Sequence, residues 1–187
     1  MNYSVYQRAP EYCVHETLLA DILSPYKSYA TYLKDAVIID RTNETAFPPD
    51  EKKHLKALVT ARGRFKIPEP CYIDDTGHFN SVEFNICFNQ LAYVLMAQCL
   101  REKLLKKLAS YSYNFYKEKQ LSSMFIVNFF CQFRKPINAQ RFWGDLSLTK
   151  ISVRGHSIFI RAYCAFYDEL NGFADGDVLL AFHDQKK

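Results

Sequence analysis

Side chains able to move protons or steady a carbonyl are densest between Tyr72 and Asn89, and the run Thr76-Gly-His-Phe-Asn80 stands where loop turns to helix. Gly77 permits a tight turn there, and Thr76 or Asn80 can cap the helix that follows. A helix start presents N–H groups with no intrahelical acceptor and a partial positive charge, which suits a carbonyl whose oxygen gains negative charge as it reacts. His78 lies at this entry, and an imidazole with an unperturbed pKa of about 6.5 transfers protons near neutrality. Its plainer role is a structural hydrogen bond in a loop. Tyr72 can donate to a carbonyl or relay a proton, but a phenol titrating near pH 10 makes a poor unaided base. Asn80 and Asn89 are polar residues in an otherwise apolar stretch, to be read as a cap and a core amide or as groups that orient a substrate. Glu83 is one turn in from Asn80, where a carboxylate at least complements the helix dipole.

A second set lies downstream. Arg134 and Lys135 end an apolar stretch immediately before Pro136. Two cations there mark a sheet edge meeting solvent, or else Arg134 grips a carboxylate with a two-pronged hydrogen-bonded pair. Ser122 and Ser123 can add hydrogen bonds. No Gly-x-Ser-x-Gly turn surrounds them, so a serine nucleophile is not expected. Tyr26 follows Pro25 just after the first helical segment. The six cysteines form no CxxC pair and no zinc-finger spacing, so no structural metal site is expected, and those inside apolar runs read as small buried hydrophobes.

The elements that must position these groups follow from periodicity. Residues 16–26 place Leu18, Leu19, Ile22 and Leu23 at helical spacing and stop at Pro25; 29–39 read as a strand, 42–53 as a loop, and 58–67 as a second strand ended by Pro68 and Pro70. From 80 to 108 there is neither Gly nor Pro, and apolar residues cover nearly the whole circumference, so this helix must be buried and turns basic, at 101–107, where it leaves the core. Residues 124–133, 143–153, 157–167 and 178–183 then read as four strands. Strands and one buried helix without βαβ alternation imply an α+β layer, an antiparallel sheet wrapped around a central helix.

Composition sets outer bounds. The 187 residues suit a single domain, 49% are apolar and 24% charged, and the net charge of +4 is spread along the chain rather than gathered in a stripe. Nucleic acid is therefore not the expected partner, whereas an acidic carrier protein or a phosphorylated carrier suits a mildly basic surface. No stretch of about 18 apolar residues would cross a membrane. The N-terminus has no apolar run of the kind a signal peptide needs, so a cytoplasmic location with reduced thiols is expected.

The run Tyr72-Ile-Asp-Asp-Thr-Gly-His-Phe-Asn-Ser-Val-Glu-Phe-Asn-Ile-Cys-Phe-Asn-Gln-Leu-Ala-Tyr93 resembles the signature of the FcoT-like thioesterase family. Gln120-Leu-Ser-Ser-Met124 followed by Phe133-Arg-Lys-Pro-Ile-Asn138 resembles a second block of it, in the same order, so the likeness spans roughly residues 16–182. The resemblance implies a hot-dog fold, a homodimer or higher oligomer, no cofactor, and a fatty acyl or enoyl thioester on acyl carrier protein or CoA as substrate. It leaves two chemistries open: addition of glycine to a (2E)-enoyl group, as in isonitrile lipopeptide pathways, and hydrolysis. A non-catalytic acyl-binding protein is the third reading. Catalytic roles are implied for Tyr72, His78, Asn80 and Asn89, with Glu83 as an alternative base because other hot-dog enzymes use a helical carboxylate so. Substrate contacts are implied for Tyr26, Gly77, Ser123, Arg134 and Lys135. Arg134 would hold the carboxylate that glycine has and a simple acyl thioester lacks.

Overall fold

The computed structural model describes residues 9–42, 57–74 and 78–183. Thr76, Gly77 and nearly all of the 42–53 loop lie outside the described residues. The central helix α2, Ser81–Arg101, begins at a capping box. Asn80 Oδ1 accepts from the N–H groups of Val82 and Glu83, while the Glu83 carboxylate accepts from the Asn80 N–H. Phe84, Phe88, Leu91 and Leu95 are fully enclosed, as an almost wholly apolar helix requires. The helix stops seven residues earlier than expected, because the chain turns at Lys103, whose φ of 52° no helix accommodates, and residues Lys106–Leu108 form a separate 3-10 turn.

Among the described residues, seven antiparallel strands make one sheet in the order β1-β2-β3-β5-β6-β7-β4. They are β1 (Glu11–Cys13), β2 (Leu33–Asp40), β3 (Val59–Phe65), β4 (Met124–Lys135), β5 (Phe142–Arg154), β6 (Ser157–Tyr167) and β7 (Phe173–His183). Alternate residues of β5, β6 and β7 are buried against the helix side, and the others face outward. Phe65, Phe142 and Phe166 from adjacent strands pack ring on ring beneath the start of α2, together with Phe79 and Phe84. Among the described residues two shorter helices pack against α2: α1 (Glu16–Leu23) buries Leu18, Ile22 and Leu23, and α3 (Tyr113–Ser123) donates from the Gln120 amide to the Ile22 carbonyl. An antiparallel sheet wrapped around one long buried helix is the hot-dog arrangement.

Four local expectations are corrected. The segment read as a strand from residue 29 starts with a 3-10 turn, Ser28–Ala30, and becomes β2 only at Leu33. α3 was not expected at all, since its sequence carries no continuous apolar stripe. The short strand β1 also escaped notice; it pairs with β2 through only Glu11, Tyr12 and Cys13. Strand β7 starts at Phe173 rather than 178. Asn171 makes the turn with a positive φ of 65°, whereas Gly176 is inside the strand, where the Phe130 carbonyl occupies the space a Cβ would need.

Candidate functional site

At the N-terminal end of α2 the surface forms a depression of about 440 Å³, lined by His78, Phe79, Asn80, Ser81, Phe133, Arg134, Lys135 and Pro136. Both sequence blocks therefore meet there. Phe79, 1% exposed, packs its ring against Phe84, Phe133 and Phe142, so the floor is apolar and rigid. Its wall is a loop fixed from behind: the Asp168 carboxylate accepts from the N–H groups of Asn138, Leu170 and Gly172 at 2.7–2.8 Å. Gly172 is required at that turn, because a Cβ would run into the Pro136 carbonyl.

Asn80 acts as the cap. Its Oδ1 is used by Val82 and Glu83, and its Nδ2 is buried with no hydrogen-bond partner among the described residues, so neither atom is presented to a substrate. Ser81 is the first helical residue, where a backbone N–H has no intrahelical acceptor, and it lines the depression. Exposed His78 lines the same space. Glu83 does not open onto it; at 1% exposure it points inward. The Arg134 guanidinium is likewise committed. Nε and Nη2 donate to the two oxygens of Asp175 at 2.9 and 3.4 Å, and Nη2 also donates to Gln132 at 2.7 Å. Asp175 alternates with buried Ala174 and Gly176, so this pair is on the outward face of the sheet.

Tyr72 and Asn89 do not join this group. Tyr72 is 53% exposed in the bend before α2 and does not line the depression. Asn89 is nine residues beyond Asn80, about 13 Å along the axis, and its amide donates to Asn85 at 3.0 Å on the outer side of the helix. Of the four residues with implied catalytic roles, Tyr72, His78, Asn80 and Asn89, the depression is lined by His78 and Asn80.

Comparison with known proteins decides the family. The model of the FcoT-like thioesterase domain matches residues 21–182. A (2E)-enoyl-[ACP] glycyltransferase from Streptomyces coeruleorubidus is 38% identical over 89% of this chain and 96% of its own length. Another of the same name from Mycobacterium marinum is 38% identical over 90% of this chain and 86% of its own. The chain belongs to the FcoT-like thioesterase family. Among solved structures, a virulence protein from Campylobacter jejuni gives a TM-score of 0.44 at 9% identity, covering 67% of this chain and 78% of that one. A Staphylococcus aureus protein solved with CoA gives 0.39 at 11%, covering 64% and 66%.

The remaining residues singled out for this FcoT-like chain lie away from the depression. Tyr26 is packed beside Tyr93 and Cys87 at mid-helix, where burial pushes its phenol well above the usual range. Ser123 is buried at the end of α3. Two buried polar groups were missed. Tyr32, fully enclosed, has the Cys71 thiol and the Glu83 carboxylate beside it, and burial above all pushes its phenol up. Gln90 ties the same segment to α2: its Oε1 accepts from the N–H groups of Tyr32 and Leu33 at 2.9 Å, and its Nε2 donates to the Ala30 carbonyl at 2.6 Å. An amide in an apolar helix is the signal that singled out Asn89, and Gln90 carried it too. Cys87 is no nucleophile, because burial first and Glu83 second hold its thiol protonated.

Proposed function

We propose that this chain adds glycine to the β-carbon of a (2E)-enoyl thioester held on acyl carrier protein, with a CoA thioester as the alternative carrier. The observation that carries this reading is the 36–38% identity, over about nine-tenths of the chain, to proteins named for that reaction. The depression supports it, since it combines an apolar floor, a helix start, an imidazole and cations, with no carboxylate among the described residues that line it. The neutral glycine amine gives its lone pair to the β-carbon. The C=C π pair moves toward the α-carbon and the thioester oxygen, nitrogen gives up one proton, and the α-carbon takes one, so the C–S bond survives and no net proton is consumed. The Ser81 N–H and the positive end of α2 steady the oxygen as it gains charge. His78 carries the proton.

On this reading the chain acts as a single domain in the cytoplasm, where its six unpaired cysteines stay reduced. It works as a homodimer joined through β4. The experiment is to incubate the protein with an enoyl thioester on acyl carrier protein, with and without glycine, and to weigh the products. The expected product is the intact thioester heavier by one glycine. A freed acid would assign hydrolysis instead, and an unchanged substrate would leave an acyl-binding protein.

A further inference from the structure

We infer that Lys135, and not Arg134, takes the carboxylate of the attacking glycine. The inference rests on the glycine-addition reading and names the residue that makes glycine, rather than any amine, the nucleophile. An arginine fork holds a carboxylate well only when the fork is open. The Nε–Nη2 fork of Arg134 is taken by Asp175, which also accepts from the Tyr163 hydroxyl at 3.1 Å, and by Gln132. A second carboxylate brought to it would meet the negative charge of Asp175.

Strand geometry explains why the neighbours differ. Phe133 pairs with Ala174 and Lys135 with Phe173, so Arg134 is the extra residue of a β-bulge, a device that re-aims side chains at the end of a ladder. Both residues line the depression alongside His78 and Ser81, but the Arg134 guanidinium is tied to Asp175 on the outward face, while Lys135 sits next to the fixed Pro136 loop. The Lys135 ammonium has no hydrogen-bond or ion-pair partner among the described residues, and it is exposed, so its charge is available. A compact cation on a flexible stem can hold one end of glycine while the amine turns toward the β-carbon and His78.

The test titrates glycine, and separately glycinamide, against a fixed enoyl thioester on acyl carrier protein. The proteins are wild type, Lys135→Met, Lys135→Arg and Arg134→Gln, each first shown to melt as wild type does. Loss of a charge-assisted hydrogen bond should raise the glycine KM of Lys135→Met roughly tenfold to a hundredfold, with a much smaller change in kcat. The same variant should lose the preference for glycine over glycinamide, and Lys135→Arg should restore most of it. Arg134→Gln should change the glycine KM less than about twofold. A glycine-dependent wild type with an unaltered KM in Lys135→Met, or a larger loss in Arg134→Gln, would overturn the inference and leave the proposed function standing. A wild type that does not use glycine would remove both.

Discussion

At the scale of single residues, Asp168 shows how a site is positioned by groups that never touch a substrate. Burial by itself would push its carboxyl up, but the N–H groups of Asn138, Gly172 and Leu170 together hold it below the ordinary aspartate range. A carboxyl whose pKa falls on folding adds stability above its unfolded value of about 3.9, and that stability is lost as pH drops through the lower folded value. Asp168→Ala should therefore cost about 1 to 3 kcal/mol at pH 7, from hydrogen bonds to a charged group, and much less near pH 2. Denaturant midpoints of both proteins at the two pH values measure this, and an equal loss at both would assign the effect to packing alone. Such a residue is hard to find in sequence, since its three donors are two, four and thirty positions away. Asn80 was legible as a cap because the Asn-x-x-Glu spacing is local. Arg134 was legible only as a cation at a strand end, since its partner Asp175 is on another strand.

At the scale of elements, α2 was the most readable part of the chain, because a long run without Gly or Pro and with apolar residues all round admits little else than a buried helix. Burial makes it testable. Leu91 and Leu95 are both fully enclosed, and Leu91→Ala or Leu95→Ala should destabilise by about 2 to 5 kcal/mol, read as a shift in denaturant midpoint at constant slope. A midpoint unmoved by either would contradict the packing. Strands β5 and β6 followed their alternation to within a residue, whereas α3 was illegible for a physical reason. Its buried side is made by Tyr116, Gln120 and Ser123, two of them polar, and what holds it is tertiary: the Tyr116 hydroxyl on the Tyr93 carbonyl at 3.1 Å and Gln120 on Ile22. The early stop of α2 was equally hidden, since Lys103 is not a residue that announces a positive φ.

At the scale of the molecule, the sheet ends on β4, which pairs with β7 on one side and with no described strand on the other. This edge is twelve residues long and carries Phe125, Val127, Phe130 and Phe133, all more than 40% exposed. A long apolar edge with open backbone groups is a template for strand pairing, which soluble proteins avoid by shortening, charging or covering such an edge. Only the last turn of β4 is charged, by Arg134 and Lys135, so the apolar stretch before it calls for a cover, and a second copy of this chain is the cover proposed. Two copies related by a twofold axis would pair β4 with β4 and extend one sheet across both. The open side of α2, with Val82, Asn85, Ile86 and Asn89, is exposed or half-buried in a single copy, and in this arrangement Asn89 gains a role only through the partner. Val127→Lys with Phe130→Lys places like charges across the shared edge, so light scattering behind size exclusion should show wild type at twice the chain mass and the double variant at once. Glycine addition should fall with the dimer if the partner completes the site, and survive if the depression of one copy is sufficient. A wild type already monomeric at micromolar concentration would remove the β4 interface.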